Sequence, residues 1–416
     1  MDVSLVLDEM GRKARAAARE MALAGSAVKN AALLGMARNL RARQKEILDA
    51  NARDMKEGAE AGLTAALLER LTLNEARIEG MARGCEEIAA LPDPIGRGIS
   101  RHVSAEGLEI EQVRVPLGVI GMIYESRPNV TADAAALCLK SGNAVILRGG
   151  HEASNSNRAI ANALVAAIFE AGLPESVVQL LDVPGRDATL ALMALEDLDV
   201  LIPRGGKRLK QAVREHAKVP YIMTGMGLCH LYIDESADAE MCVPVAVNAK
   251  TQRPSVCNAI ETLLVHEKAA PRVLPAVAAA LAAHGVELRG DAKAREIFSM
   301  NEATDEDWAT EYLDLILSVK VVASLDEALA HIARYGTGHS ESILTSDYAA
   351  AEKFLNSVDA AAVYVNASTR FTDGGVFGLG AEMGISTQKL HARGPMGIEQ
   401  LTGTKFRIRG NGQVRR

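Results

Sequence analysis

The sequence predicts an α/β protein with more than one domain. A chain of 416 residues exceeds the size at which one hydrophobic core stops growing. From residue 119 onward, short apolar stretches alternate with segments of helical spacing, which is typical of a parallel sheet covered by helices on both faces. The hydrophobic fraction of 48% and the charged fraction of 24% are ordinary for a soluble globular enzyme.

The first part of the chain, from about residue 4 to 90, is predicted to be helical. It is rich in Ala, Leu, Glu and Arg, and Leu33, Met36, Leu40 and Ile47 fall near one helical face. The Pro- and Gly-containing stretch 91–96 ends this region. Residues 101–116 then alternate between apolar and charged side chains, which predicts an exposed β-hairpin. Because a two-stranded ribbon is marginal alone, we expect it to form an oligomer contact.

Two βα series follow the hairpin. The first has strands at 119–124, 144–147, 177–181 and 200–202, and helices at 132–139, 154–171 and 188–195. The second begins after about residue 228, with apolar runs at 231–233, 260–265, 274–283, 313–322, 343–344 and 362–365. Because ligands of such sheets bind at the carboxyl ends of the strands, the residues that follow each strand are the candidates for a site.

Charge and cysteine content exclude several classes of function. A net charge of −7 argues against a nucleic-acid-binding protein. The five cysteines show no Cys-x-x-Cys and no zinc spacing, so no metal site is expected and a reducing cytoplasm is indicated. The most apolar stretch, 273–283, is too short to span a bilayer, and the amino terminus does not resemble a signal peptide.

Cys257 is the candidate nucleophile. It follows the segment Asn-Ala-Lys-Thr-Gln-Arg-Pro-Ser-Val, in which Lys250 and Arg253 are cationic, and it precedes the apolar run 260–265. Nearby cations favour the reactive thiolate. From these residues alone, a buried structural thiol is the favoured interpretation, and a nucleophile is the alternative.

Two glycine turns are candidates for a phosphate-bearing cofactor. Arg148-Gly149-Gly150-His151 follows one predicted strand, and Pro203-Arg204-Gly205-Gly206-Lys207-Arg208 follows another, just before a helix. Adjacent glycines let a ligand approach the backbone, and the N–H groups at a helix start attract phosphate. Neither turn has the Gly-x-Gly-x-x-Gly spacing, and two ordinary turns remain the alternative.

Two further polar segments follow strands. In Glu125-Ser126-Arg127-Pro128-Asn129, Pro128 disfavours helix at Arg127, so Asn129 opens the next helix. Asn129 fits either a helix cap or a donor to a developing oxyanion. The run 366–375, Asn-Ala-Ser-Thr-Arg-Phe-Thr-Asp-Gly-Gly, is predicted to be a loop whose donors suit a carboxylate or a phosphate, with a plain loop as the alternative.

Taken together, these segments resemble the aldehyde dehydrogenase superfamily over nearly the whole chain. The strongest matches are residues 115–120, 125–131, 248–254 ahead of Cys257, 311–314 and 365–375. The resemblance implies an aldehyde dehydrogenase-like fold with two Rossmann-like α/β domains and a β-hairpin oligomerisation arm. The implied parts are an NADPH-binding domain at 1–97 and 116–227, an arm at 98–115 with the tail 392–416, and a catalytic domain at 228–391.

The resemblance also implies roles for individual residues. Cys257 falls at the family nucleophile, and Asn129 at the oxyanion amide that acts with the Cys257 N–H. Arg148 falls where the superfamily has a Lys near the adenosine ribose, and Glu311 where it holds the nicotinamide ribose. The expected cofactor and substrate contacts, beyond these, are Gly149, Gly205 and Gly206 for the cofactor and Arg127, Lys250, Arg253, Ser368 and Arg370 for the substrate.

Two departures from the superfamily sharpen the expected activity. Hydrolytic members carry a water-activating Glu in a Glu-Leu-Gly-Gly context, whereas residues 222–227 here read Ile-Met-Thr-Gly-Met-Gly. Members that chelate the adenosine ribose often place a Glu after the ribose-contacting Lys, whereas Gly149 follows Arg148 here and Glu152 lies further on. The first departure favours a reductase over an aldehyde oxidiser, and the second favours NADPH.

The activity implied by the resemblance is therefore NADPH-dependent reduction of L-glutamyl 5-phosphate to L-glutamate 5-semialdehyde and phosphate in proline biosynthesis. The alternatives are another thiol enzyme of the superfamily, oxidising an aldehyde or using coenzyme A, and a non-catalytic subunit. The expected partners are the small-molecule substrate, further copies of the chain, and transiently a glutamate 5-kinase.

Overall fold

The computed structural model describes residues 3–415, without the side chains of Ala66 and Lys207. Its helices are α1 (Val3–Met21), α2 (Ser26–Ala42), α3 (Gln44–Glu60), α4 (Ala65–Leu71), α5 (Glu75–Ala90), α6 (Asn129–Lys140), α7 (Ser154–Glu170), α8 (Arg186–Met193), α9 (Lys207–His216), α10 (Ala239–Thr251), α11 (Ala270–Ala283), α12 (Ala292–Ile297), α13 (Leu325–Tyr335) and α14 (Tyr348–Ser357).

Its strands are β1 (Gly98–Val103), β2 (Glu109–Pro116), β3 (Val119–Tyr124), β4 (Ala144–Arg148), β5 (Val178–Leu180), β6 (Val200–Arg204), β7 (Cys229–Ile233), β8 (Ile260–His266), β9 (Glu287–Gly290), β10 (Asn301–Glu302), β11 (Ile316–Val322), β12 (Ser340–Leu344), β13 (Ala362–Val365), β14 (Ile385–Ser386), β15 (Gly394–Pro395) and β16 (Thr402–Arg409). Within residues 3–415, no helix is long and apolar enough to cross a bilayer.

The chain folds into two compact units. The first comprises the chain up to Met223, together with Gly378–Gly384 and the segment from Met396 onward. The second comprises Thr224–Phe377 and Ile385–Pro395. Each unit contains its own parallel sheet, so the expectation of two α/β series along the chain is confirmed.

The first unit is built on a four-stranded parallel sheet in the order β5-β4-β3-β6. Strands β3 and β4 are buried along their whole length, as their continuous apolar sequences predict. The chain runs outward from β3 through β4 to β5 and then crosses back to place β6 on the other side of β3. The strand order therefore reverses between β3 and β6, which is where open α/β sheets bind their ligands.

The first unit also carries a three-stranded antiparallel sheet in the order β1-β2-β16. The predicted hairpin is present as β1 and β2, and the carboxy-terminal strand β16 pairs with β2 from Thr402 to Arg409. Strand β1 is exposed throughout. Phe406 and Ile408 in β16 are 60% and 59% exposed, so this sheet presents apolar surface.

The second unit is built on a seven-stranded parallel sheet in the order β10-β9-β11-β8-β7-β12-β13. Strands β7, β8 and β12 at its centre are completely buried. One apolar cluster contains residues of α10 and α11 together with alternate residues of β7 and β8, among them Leu231 and Leu263. A second cluster contains Tyr232 and Leu264, the neighbours of those residues, with residues of α13 and α14. Because successive strand residues point to opposite faces, the two clusters cover the two faces of the sheet.

Candidate active site

Cys257 lies in the turn that joins α10 to β8 at the centre of the second unit. It is the one cysteine of the five with a half-buried position, whereas Cys85, Cys138, Cys229 and Cys242 are buried. Burial raises the pKa of Cys85 to about 12 and that of Cys242 to about 11, and it also raises the pKa of Cys138 and Cys229. Those four side chains therefore stay as unreactive thiols at neutral pH.

The backbone of Cys257 is held from the side of β7. The Cys229 thiol donates a hydrogen bond to the Cys257 carbonyl oxygen at 3.2 Å. Gly227 packs so closely that a Cβ at this position would lie 1.4 Å from the same oxygen. The stretch 222–227, which lacks the water-activating Glu of hydrolytic relatives, thus ends against the backbone of the candidate nucleophile.

The loop after β13 is anchored beside Cys257 through Asn258. The Asn258 amide donates to the Thr372 carbonyl at 2.8 Å, and the Thr369 hydroxyl donates to the Asn258 carbonyl at 2.7 Å. The buried Ser368 side chain accepts the Arg370 N–H at 3.3 Å. The predicted loop 366–375 is therefore fixed by the residue that follows the nucleophile.

Two arginines bring positive charge to this region. Arg370 is half-buried and donates from Nε to Gln252 Oε1 at 2.9 Å, and its Nη1 contacts Asn258 Oδ1. Burial and the charge of exposed Arg253 lower the pKa of Arg370, whereas the electrostatic influence of Cys257 raises it. Arg370 is held against Asn258, the residue after the thiol, and Arg253 precedes Cys257 by four residues, so both are candidates to bind an anion here.

Lys250 does not occupy the position that its expected role requires. Its side chain is completely buried, and its Nζ bonds Glu261 Oε2 at 2.6 Å. Because its charge is committed to a buried carboxylate, this geometry argues against direct substrate contact. The sequence places Lys250 near Cys257 but does not indicate that Lys250 pairs with Glu261, because Glu261 lies on the other side of the Cys257 turn.

Glu311 is joined to the segment that packs on Cys257. Its Oε1 accepts the Gly227 N–H at 2.6 Å. The same segment is fixed by Thr337, whose hydroxyl donates to the Met226 carbonyl at 2.7 Å and accepts the Leu228 N–H at 3.1 Å. The second unit thus brings together Cys257, Arg253, Ser368, Arg370 and Glu311.

Asn129 and Arg127 belong to the first unit, at the carboxyl end of β3. Asn129 is the first residue of α6, and its side-chain amide donates to Asp133 Oδ2 at 2.9 Å, so it is not a helix cap. Burial raises the pKa of Asp133. Both Asn129 and Arg127 are half-buried.

Arg148 is the last residue of β4, and its guanidinium is largely buried. It donates to the Leu181 and Gly185 carbonyls at 3.4 and 3.1 Å, and burial lowers its pKa. The next residue, Gly149, has no room for a side chain, because a Cβ would lie 2.1 Å from Asn157 Nδ2. Packing inside the unit therefore accounts for this glycine, independently of any cofactor.

Gly205 and Gly206 follow β6 at the point where the strand order reverses. The Gly206 N–H at the start of α9 donates to Glu125 Oε2 at 2.8 Å, and a Cβ on Gly205 would lie 2.5 Å from the same carboxylate oxygen. An internal carboxylate thus takes the place expected for a phosphate. The glycine pattern did not indicate Glu125, which lies in a different turn.

No metal site accompanies these residues. Across residues 3–415, no group of three or more His, Cys, Asp or Glu side chains is arranged to hold a metal ion. The polar groups described above are a thiol, arginines, an amide and backbone N–H groups.

The fold and the thiol site together define an enzyme class, and comparison with known proteins agrees with it. Residues 6–315 match the aldehyde dehydrogenase family. The chain therefore belongs to the aldehyde dehydrogenase family, and the family resemblance seen in its motifs is confirmed.

Within that family, the full-length similarity is to gamma-glutamyl phosphate reductases. The chain is 58% identical to the enzyme of Syntrophomonas wolfei and 59% identical to that of Moorella thermoacetica, over 100% of both chains in each case. The crystal structure of the Thermotoga maritima gamma-glutamyl phosphate reductase superposes with a TM-score of 0.96 at 51% identity, covering 99% of this chain and 100% of that one.

Proposed function

We propose that this chain reduces L-glutamyl 5-phosphate to L-glutamate 5-semialdehyde and phosphate with NADPH, through a thioester on Cys257. The full-length identity to gamma-glutamyl phosphate reductases supports the substrate. The single observation that carries the chemistry is the place of Cys257, half-buried in a turn that also carries Arg253 and next to Asn258, which Arg370 contacts. A phosphorylated acyl substrate suits such a site because arginines bind phosphate and carboxylate.

The first half of the reaction is acyl transfer. The Cys257 thiolate attacks the acyl carbon, the carbon–oxygen bond to phosphate breaks, and phosphate leaves with the electron pair. The Asn129 amide and the Cys257 N–H would stabilise the oxyanion formed on the way. In this structure the Asn129 amide donates to Asp133, so this role requires it to exchange that partner for the substrate oxygen.

The second half is reduction of the thioester. The thioester carbon would accept the hydride that NADPH supplies when bound. The chain's own part is to keep water from competing, and residues 222–227 carry no carboxylate that could activate it. Collapse of the resulting thiohemiacetal breaks the carbon–sulfur bond, returns the electron pair to Cys257 and releases the aldehyde.

A nicotinamide cofactor is supported by membership in the aldehyde dehydrogenase family. The residues that would hold it are Arg148, Gly149, Gly205 and Gly206 at the β3–β6 reversal of the first unit, and Glu311 in the second. Gly206 N–H is available to a phosphate only when Glu125 releases it. The strand order of the first sheet fits a nucleotide site at the β3–β6 reversal. Because Glu125 accepts the Gly206 N–H, we expect cofactor binding to change the conformation of the turn after β6.

We expect kcat/KM with NADPH to exceed that with NADH by about tenfold or more, as one additional charged hydrogen bond predicts. The guanidinium of Arg148 has five N–H donors, so donors remain after its contacts with Leu181, Gly185 and Thr189. The Oε1 atom of Glu152 accepts both the N–H and the hydroxyl of Ser126, so this oxygen is already engaged. Steady-state rates with both cofactors check this, and equal values would contradict it.

Arg370→Gln is expected to raise the KM for the anionic substrate by about tenfold to a hundredfold, because it removes a charged hydrogen bond next to the thiol. KM for phosphate and for the semialdehyde, measured in the reverse direction, separates the two anionic groups of the substrate. Arg295→Gln on α12 is the matched control, since Arg295 pairs with Glu302 instead. Unchanged KM values for Arg370→Gln would show that it does not bind substrate.

The oligomerisation arm and the kinase contact are part of the proposal. The exposed apolar side chains of β16, with the exposed strand β1, support packing of the three-stranded sheet on another copy of the chain. A transient contact with a glutamate 5-kinase would shorten the path of a labile acyl phosphate. The three domains expected at 1–97 with 116–227, at 98–115 with 392–416, and at 228–391 would then be the cofactor, arm and catalytic parts.

The proposed function is tested in the reverse direction, by following NADP⁺ reduction with glutamate 5-semialdehyde and inorganic phosphate. Turnover that requires phosphate supports the reductase. Turnover that requires coenzyme A, or neither phosphate nor coenzyme A, would instead establish one of the other thiol activities of the family. A chain that binds no NADPH in a fluorescence titration would be the non-catalytic subunit.

A further inference from the structure

The strongest unassigned feature of the second unit is a buried ion pair at the base of the Cys257 turn. Lys250 is the second-last residue of α10, and Glu261 is the second residue of β8. Their side chains are 0% and 1% exposed and meet at 2.6 Å. The pair therefore closes the loop of residues 251–260, which carries the thiol at its tip.

The same carboxylate also holds a second segment. Glu261 Oε1 accepts the Leu313 N–H at 3.1 Å, two residues after Glu311. Leu313 has a left-handed backbone with φ of 54°, a conformation that a leucine adopts only when its surroundings impose it. Tyr312 lies between two cations, with its ring 5.9 Å from Lys250 Nζ and 5.4 Å from the Arg289 guanidinium. Lys250 and Glu261 thus lie close to the two residues that follow Glu311, Tyr312 and Leu313.

Stability alone does not explain the pair. Burial raises the pKa of Glu261 to about 7 and lowers that of Lys250, while their mutual attraction opposes both shifts. A buried ion pair is often replaceable by apolar residues of similar volume at no loss of stability. What an apolar pair could not do is accept the Leu313 N–H and so fix the Glu311 segment relative to the Cys257 turn.

We propose that Glu261, clamped by Lys250, is a positioning residue that holds the Glu311 segment in register with the Cys257 turn, so that cofactor and thioester meet in the reactive geometry. This inference rests on the proposed function. Glu261 does not contact the reacting atoms in this assignment. It acts through Leu313 on Glu311, and through Lys250 on the turn that carries Cys257.

The test uses Glu261→Ala and Glu261→Gln in the full chain, with Glu341→Gln as the matched control. Glu341 is a buried glutamate of the same sheet, bonded to His230 at 2.7 and 2.9 Å. The measurements are the Kd of NADPH by fluorescence, the rate constant of the first NADP⁺ reduction on mixing with semialdehyde, and thermal unfolding.

For Glu261→Ala, we expect the Kd of NADPH to rise and the first-turnover rate constant to fall, each by about tenfold or more, as for a misplacement of about 1 Å. Glu261→Gln keeps an oxygen for the Leu313 N–H, so its Kd for NADPH should rise less than that of Glu261→Ala. Glu341→Gln should unfold at a lower temperature while keeping the wild-type Kd and rate constant.

The proposal is overturned if folded Glu261→Ala keeps the wild-type Kd, or if Glu341→Gln shows the same rise. Should Glu261→Ala fail to fold, the proposal is decided by Glu261→Gln against Glu341→Gln: a Kd raised only at position 261 supports it, and equal Kd values overturn it. Failure of the proposed function has a separate signature. A wild type that binds NADPH without phosphate-dependent turnover contradicts the proposed function and leaves the Kd comparison intact, whereas a wild type that binds no NADPH overturns both.

Discussion

Cys257→Ser is expected to lower the phosphate-dependent kcat by about four orders of magnitude or more, as removal of a covalent nucleophile does in other enzymes. A serine hydroxyl is hardly ionised at neutral pH, and the oxygen ester it would form is a poorer hydride acceptor than a thioester. Because Cys257 is half-exposed in a turn, we expect the free energy of unfolding to change by less than about 1 kcal/mol. The measurements are NADP⁺ reduction with semialdehyde and phosphate, and denaturant unfolding.

Cys242→Ala is the matched control for this substitution. Cys242 is a buried thiol of the same unit, packed in the cluster that α10 and α11 form against the sheet. Its replacement should lower stability by about 1 kcal/mol through lost packing and leave kcat unchanged. Substantial turnover by Cys257→Ser would show that Cys257 does not carry the acyl group.

Gly227→Ala is expected to lower kcat by about a hundredfold, although it removes no reactive group. A Cβ at this position would lie 1.4 Å from the Cys257 carbonyl oxygen and 2.2 Å from its carbon, so the backbone of one residue or the other has to move. The displacement would also disturb the Gly227 N–H bond to Glu311. Such overpacking should lower the free energy of unfolding by about 1–3 kcal/mol.

Gly80→Ala provides the contrast on α5, where a Cβ meets nothing within 4 Å. It should raise stability by about 0.8–1 kcal/mol through helix propensity and leave kcat unchanged. Wild-type kcat for folded Gly227→Ala would mean that the geometry of the Cys257 backbone is unimportant for the reaction. Steady-state kinetics and urea unfolding of both variants decide this.

Strands with continuous apolar sequences could be predicted, because burial on both faces leaves a signal in hydropathy. Residues 119–124 became β3 with the predicted bounds. The apolar run 260–265, whose sequence fits a buried strand or a helix, became β8. Strand β12 was predicted only at 343–344 but begins at Ser340. Its polar residues are buried because distant groups satisfy them: Ser340 bonds Thr372, Glu341 bonds His230, and Ser342 bonds the Ala367 carbonyl.

The candidate site likewise combines residues that the sequence indicated with contact partners that it did not. A resemblance of motifs identified Cys257 as the nucleophile, whereas its local context in the sequence favoured a structural thiol. No local pattern indicated the partners of Lys250 and Gly206, because Glu261 and Glu125 lie in other segments that only the fold brings near. The hairpin was predicted from alternation, whereas its third strand, β16, comes from the opposite end of the chain.

The central claim is that Cys257 forms a thioester that phosphate, but not water, releases in the reverse direction. The most direct measurement is stopped-flow NADPH formation on mixing the enzyme with NADP⁺ and glutamate 5-semialdehyde in the absence of phosphate. We expect a burst of one NADPH per chain followed by almost no turnover, and steady turnover once phosphate is added. Continuous NADPH formation without phosphate, or the absence of any burst, would contradict the account.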